Sequence, residues 1–344
     1  MSIAVAILGL ALLIVLHEAG HFLAARLCGM RVERFSIGFG NALVSFKRGD
    51  TIYQIAPIPL GGFVQVTGMN PHEEFDHDDP YVYPNRPRWM RFLVLVAGPA
   101  ANYLTAIVIG FVVLLAYGQY TGTTTIDEVV KGSAAESVGL LPGDIVAGVG
   151  GKGVTDPAEV THLVRASQGN AIDVKIVRKG KPLSLSIAPR KVSDGVYMIG
   201  VRFGQARARG PILGAVKEAV VMPIALSAVL LKNIWDLITR KIQGGLTGPL
   251  GIAKEMAGAA KQGLLKFLEI LILISVALGV FNLLPVPGLD GARIFFVGIN
   301  AIRRKDINPA VETKIHMVGI MVLLMVLVVV TFKDIKHIWF TKMG

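Results

Sequence analysis

The run IAVAILGLALLIVLHEAGHFLAARL, residues 3–27, places His17, Glu18 and His21 inside a stretch that is otherwise almost wholly apolar. A bilayer core is crossed by about 20 mostly apolar residues in a helix, and this run is long enough. On a helix, residues four apart share a face, so His17 and His21 can turn both imidazoles to one metal ion. Glu18 lies beside them, placed to take a proton from water at that metal rather than to bind it. Ionisable groups within an apolar helix are costly and persist where they face a polar cavity, a metal or one another. A helix end at the membrane surface would also hydrate them, but it leaves the ligand spacing unexplained.

The rest of the chain fits an integral membrane protein. Of its 344 residues, 53% are hydrophobic and 17% charged, against about 25% charged in ordinary soluble domains. The mean hydropathy is +0.58. Four spans are expected, at 1–30, 92–118, 264–291 and 317–333. The formal net charge of +11 does not call for nucleic acid, because the basic residues cluster beside the apolar runs. Arg26, Arg31, Arg34, Lys47, Arg48, Arg86, Arg88 and Arg91 precede the second span, and Arg293, Arg303, Arg304, Lys305 and Lys314 precede the fourth. Such loops face the cytoplasm, which puts the N-terminus and residues 118–263 outside. Lys333, Lys336 and Lys342 point weakly the other way. The first run lacks the basic start and small-residue cleavage site of a signal peptide. Cys28 is the only cysteine, so no intrachain disulfide forms.

A catalytic zinc takes three protein ligands and keeps one position open. The third ligand is expected from another span at the same depth. Asn282-Leu283-Leu284-Pro285-Val286-Pro287-Gly288-Leu289-Asp290-Gly291 closes the third span with a carboxylate on broken helix. Irregular backbone at membrane depth belongs inside protein or beside a water-filled cavity. An ordinary turn capped by Asp290 is the plainer alternative. The span must run in the same direction as the first to bring Asp290 level with the histidines. The apolar segment 219–231 is bounded by Lys217, Glu218 and Lys232 and interrupted by Pro223. It therefore reads as an interfacial or re-entrant helix within amphipathic linker helices at 211–240, because one more crossing would reverse the third span.

These motifs, together with Gly98-Pro99-Ala100-Ala101-Asn102 at the second span, resemble the site-2 protease family, zinc enzymes of regulated intramembrane proteolysis. The closest resemblance is to the bacterial group that cleaves anti-sigma factors. It implies Zn²⁺ held by His17, His21 and Asp290, Glu18 as general base, and Asn282 holding the substrate strand or the oxyanion. For Asn102, a helix–helix hydrogen bond is the preferred reading.

Residues 31–91 form a cytoplasmic loop with strands at Val32 to Phe39, Ala42 to Phe46 and Thr51 to Ala56. The resemblance implies a membrane-associated β-element there. Its edge could pair with an extended substrate, with Gly61, Gly62 and Phe63 forming a tight loop near the site. Residues 70–79 are charge-dense and read as a solvated loop, a second metal site being the alternative. Residues 121–203 alternate like a small β-rich domain and, through Gly139-Leu140-Leu141-Pro142-Gly143-Asp144, resemble a PDZ domain. Met198, Ile199, Gly200 and Val201 would then form the loop that takes a substrate C-terminus; a size filter is the equal alternative. The best-known anti-sigma-factor protease carries two such domains, and this chain has room for one. Residues 211–240 are expected to gate substrate entry.

The expected fold is thus an α-helical polytopic membrane protein with four transmembrane helices, a β-hairpin element and one PDZ-like domain. The expected function is an intramembrane zinc metalloendopeptidase of the bacterial cytoplasmic membrane, with its site near the cytoplasmic side. Substrates would be single-pass membrane proteins or signal-peptide remnants, and lipid the surrounding partner. A zinc transporter would show repeated halves, and none is apparent. An inactive PDZ scaffold would not need His17, Glu18, His21 and Asp290 together.

Overall fold

The computed structural model describes residues 2–69, 76, 78–193, 196–239, 248–305 and 307–341. The possible second metal site at 70–79 lies largely outside them. Along the chain, α1 (Ser2–Leu27) leads into β1 (Val32–Phe39), β2 (Val44–Arg48), β3 (Thr51–Ile55) and β4 (Ile58–Val66), then α2 (Arg88–Tyr117). There follow β5 (Gln119–Val129), α3 (Ala134–Ser137), β6 (Ile145–Val149), β7 (Lys152–Gly153), α4 (Pro157–Ala166), β8 (Ile172–Arg178), β9 (Lys181–Ile187), β10 (Arg190–Ser193), β11 (Val196–Met198) and β12 (Val201–Ala208). The chain closes with α5 (Ile212–Ile238), α6 (Pro249–Gln262), α7 (Leu264–Leu283), α8 (Asp290–Arg303) and α9 (Pro309–Thr341). Two compact units result, residues 115–211 and the remainder.

Among the described residues of the larger unit, five helices are long and apolar enough to cross a membrane: α1, α2, α5, α7 and α9. This differs from the expected four. The segment expected to be short is part of one 27-residue helix, α5. Lys217, Glu218 and Lys232 are exposed, off the stripe that packs. Met222, Leu226 and Leu230 pack against Ala106, Val113, Ile272 and Val276 of α2 and α7. Charges on the free face therefore do not end the helix, and Pro223 is buried within it.

The contacts also fix helix directions. His17 meets Asn102 while His21 meets Val94, so α1 and α2 are antiparallel. Ser275 donates to the Asn102 carbonyl at 2.8 Å, while Gly279 lies against Tyr103 and Pro99, so α7 also opposes α2. The Tyr103 hydroxyl meets that of Ser227 at 2.7 Å, while Met222 lies against Gly110, so α5 does the same. Consequently α1, α5 and α7 run in one direction. The expectation that a further membrane-length helix would separate Asp290 from the histidines is overturned, because the chain comes back between α5 and α7. α6, not anticipated from the sequence, packs there against α1, with Met256 buried beside Ala6 and Leu13.

The first sheet has the order β2-β3-β1-β4. The tight loop expected at Gly61, Gly62 and Phe63 is instead part of strand β4, paired antiparallel with β1. β4 is an edge, where a proline such as Pro59 costs no ladder hydrogen bond. Its pairing slips between Ile37 and Phe39. A Cβ on Gly62 would crowd the Ser36 carbonyl.

The smaller unit is a six-stranded sheet ordered β12-β5-β6-β8-β9, with β7 paired to β6, and it carries α3 and α4. Ile126, Val146, Val174, Ile176 and Ile187 form its core. Asp144 ties its Gly-rich turn together. Its carboxylate accepts from Arg178 Nε and Nη2, each at 2.7 Å, and from the Leu141 N–H at 2.9 Å. Arg178 also donates to the Gly139 carbonyl. The Arg178 hydrogen bonds hold the Asp144 carboxyl below its ordinary range. A depressed folded-state pKa adds stability above the unfolded value of about 3.9 and loses it as pH falls through the folded value. Arg178→Ala should therefore accelerate amide exchange at Val146 and Val174 at pH 7, and the difference from wild type should shrink below pH 4. A constant difference across that range would show that Asp144 ionisation plays no part.

Candidate metal centre

His17 and His21 are both buried on one face of α1. Their Nε2 atoms are 3.2 Å apart, and each lies close to Asp290 Oδ2, at 3.2 and 3.1 Å. Three potential ligand atoms from two distant parts of the chain thus meet at one point. Ligands about 2.0–2.1 Å from a tetrahedral zinc lie roughly 3.3 Å from one another. The observed spacings suit one such ion, and two imidazoles with a carboxylate suit zinc chemically. On its far side, His21 Nδ1 lies 2.8 Å from the Val94 carbonyl. A carbonyl only accepts, so that bond keeps the proton on Nδ1 and leaves Nε2 free to ligate.

Local sequence explains why these groups can meet. Gly20 lies against the Ala97 carbonyl, and Gly98 against the His21 ring; a Cβ on either would overlap its neighbour. Small residues let two helix backbones approach closely. After α7, Pro285 and Pro287 prevent continuation of the helix. The chain passes Gly288, at φ +99°, and Asp290 becomes the first residue of α8 rather than the end of α7. A Cβ on Gly291 would overlap the Leu284 carbonyl. The Gly288 N–H donates to His316 Nδ1 at 3.2 Å, which ties this loop to α9.

Glu18 is half-buried beside the cluster and faces β4, where it lines the same cavity as Val64. His17, Glu18, His21, Phe63, Asn282 and Asp290 all line one cavity of about 270 Å³. An adjoining cavity of about 420 Å³ shares Phe63, Val64, Val66, Met69 and Arg293 with it.

The profile of peptidase family M50 matches residues 5–326. The chain belongs to this family. It is similar to the zinc metalloprotease RasP of Geobacillus kaustophilus, with 28% identity over 94% of this chain and 95% of the relative. It is likewise similar to the regulator of sigma-W protease RasP of Bacillus subtilis, with 26% identity over 95% of this chain and 96% of the relative. The resemblance to site-2 proteases is borne out, and this M50 member is a zinc metalloprotease. Its long apolar helices make it an integral membrane protein.

The M50 chain brings most of the residues anticipated for its site into one place. Asn282 is on the cavity wall, but its amide nitrogen donates to the Leu278 carbonyl of its own helix at 3.0 Å. Gly62 approaches the Glu18 side chain, whereas Gly61 lies against Phe39. Met198, Ile199, Gly200 and Val201 belong to the smaller unit. Sequence reading passed over Arg293 and His316. Arg293 follows Asp290 by one helical turn, a spacing that could have drawn attention to it. His316 carries no such signal, because its contact with Gly288 is purely tertiary.

Proposed function

We propose that this protease cuts single-pass membrane proteins within or near the bilayer, using His17, His21 and Asp290 to hold its zinc. The observation that carries the reading is the meeting of those three ligand atoms at a cavity that also holds Glu18 and one face of an edge strand. Zinc held there supplies Lewis acidity toward the scissile carbonyl and the attacking water. Glu18 takes the water's proton and passes it to the leaving amine nitrogen. Phe63 and Val64 of β4 line the same cavity as Glu18, so the base faces the strand that would hold the substrate. β4 offers its outer edge to a substrate in extended form, so that peptide unwound from helix is held by main-chain hydrogen bonds. Asn282 borders the place where negative charge develops and can turn its amide toward it.

In this reading α1, α2, α7 and α9 cross the membrane. α5 enters beside α2 from the same face as α1, and the chain returns to that face before α7, so α5 adds no reversal. The basic residues between α1 and α2 put the metal site in the cytoplasmic half of a bacterial cytoplasmic membrane. The smaller unit is then extracytoplasmic and PDZ-like. Gly200, at φ +84°, precedes β12, whose outer edge pairs with no strand among the described residues. That arrangement suits capture of a free C-terminus exposed by an earlier cut. The sigma-W role in the name of the Bacillus relative supports a membrane-anchored transcriptional regulator as substrate.

The test is made on the full chain purified in detergent with a single-span reporter. Wild type should carry one zinc and cleave within or beside the span. His17→Ala and Asp290→Ala should lose both zinc and cleavage. Cleavage that survives loss of the metal, or cuts confined to soluble polypeptides, would overturn the proposal.

A further inference from the structure

Asn102 is completely buried at the α1–α2 contact, and its side chain meets His17 on the side away from the metal cluster. Its Nδ2 lies 3.0 Å from His17 Nδ1, and its Oδ1 is buried with no hydrogen-bond partner among the described residues. If the amide nitrogen donated to Nδ1, the imidazole proton would sit on Nε2. That proton would point toward His21 Nε2 and Asp290 Oδ2, each 3.2 Å from the His17 Nε2 that carries it, and His17 could not ligate a metal. The two ends of a carboxamide have nearly the same shape, so the opposite orientation fits the same space. No bond to the other end of the amide opposes that turn among the described residues. The second histidine has the same arrangement: His21 Nδ1 faces the Val94 carbonyl, an obligate acceptor.

We infer that Asn102 is a positioning residue that acts through His17. Its side-chain oxygen accepts the Nδ1 proton and so keeps the Nε2 lone pair directed at zinc. This rests on the reading that His17 is a ligand, and it gives the helix–helix hydrogen bond expected of Asn102, present here between α2 and α1, a further task. Each ligand imidazole is thereby held by an oxygen acceptor from α2, one a backbone carbonyl and one a side chain. Ser275, which donates to the Asn102 backbone carbonyl, fixes the residue from α7 while leaving its amide free for this task.

The test is cobalt affinity of the metal-free full-length protein in detergent, read from the visible absorption of bound Co²⁺. Asn102→Asp keeps the acceptor and removes the donor, whereas Asn102→Ala removes both. The Ala variant should bind cobalt about 10–100-fold more weakly than wild type, in the range expected on losing the partner of a ligand imidazole. The Asp variant should bind close to wild type. Equal weakening in both variants, or unchanged affinity in Ala, would overturn the inference. Loss of folding in both would assign Asn102 to helix packing and overturn it equally. His21→Ala keeps the two readings apart. If cobalt binding by otherwise wild-type protein is indifferent to His21→Ala, the ligand set itself fails; if it is abolished while the Asp and Ala order is wrong, only the role of Asn102 fails.

Discussion

Glu18→Gln should lower kcat for a membrane-embedded reporter by about 10²–10⁴-fold, the usual contribution of a positioned general base, with zinc content unchanged. Two features of the geometry set this expectation. The three convergent ligand atoms come from His17, His21 and Asp290, so the metal does not depend on the Glu18 side chain. Glutamine is nearly the same shape, so the side chain stays on the cavity wall that Glu18 lines, but it cannot take a proton. KM should change little, because the edge of β4 and the cavity walls are untouched. The variant thus separates proton transfer from metal binding, which the zinc-losing Asp290→Ala cannot do. Activity within tenfold of wild type, in protein carrying full zinc, would remove Glu18 from the role of base.

The legible and illegible parts of the molecule differ in the range of the interactions that decide them. The five residues from His17 to His21 could be read because helical spacing alone puts two imidazoles on one face. Asp290 could be read because two prolines and two glycines mark a broken helix where a carboxylate would otherwise be costly. The direction of α7 was likewise deducible, though the reason offered for it was wrong: α5 is membrane-length and the direction survives. Its charges sit on the exposed face, and only packing on α2 and α7 reveals which face that is. β4 was hidden by Pro59, Gly61 and Gly62, residues that usually end strands but are tolerated on an edge. α6 has neither the length nor the apolarity of a span; its place depends on Met256 meeting Gly9. The role of Asn102 needed the position of one ring nitrogen, which no spacing rule supplies.

Gly98→Ala should damage the metal centre from outside the ligand set. An added methyl would overlap three atoms of the His21 ring, Nε2 among them. The ring cannot swing aside cheaply, since its other nitrogen is held by the Val94 carbonyl at 2.8 Å and the residue is buried. Either that hydrogen bond breaks or α1 and α2 separate. Overpacking of this kind costs about 1–3 kcal/mol and occasionally more. Displacing a ligand itself should weaken cobalt binding at least as much as losing a ligand's partner, by about 100-fold or more. Gly110→Ala is the matched control on the same helix. Its added methyl crowds the terminal methyl of Met222, the end of a flexible side chain that can move, and touches Ile272 Cδ1 only at an ordinary 4.0 Å, so both cobalt affinity and thermal stability should stay near wild type. Gly20→Ala should act on stability first, because its methyl meets the Ala97 carbonyl, backbone that cannot yield unless the helices part. The expected order of metal affinity is therefore Gly110→Ala above Gly20→Ala above Gly98→Ala. If Gly98→Ala binds cobalt as tightly as Gly110→Ala, then His21 is not pinned between the Val94 carbonyl and the backbone of α2, and the close crossing of α1 and α2 is not what shapes the site.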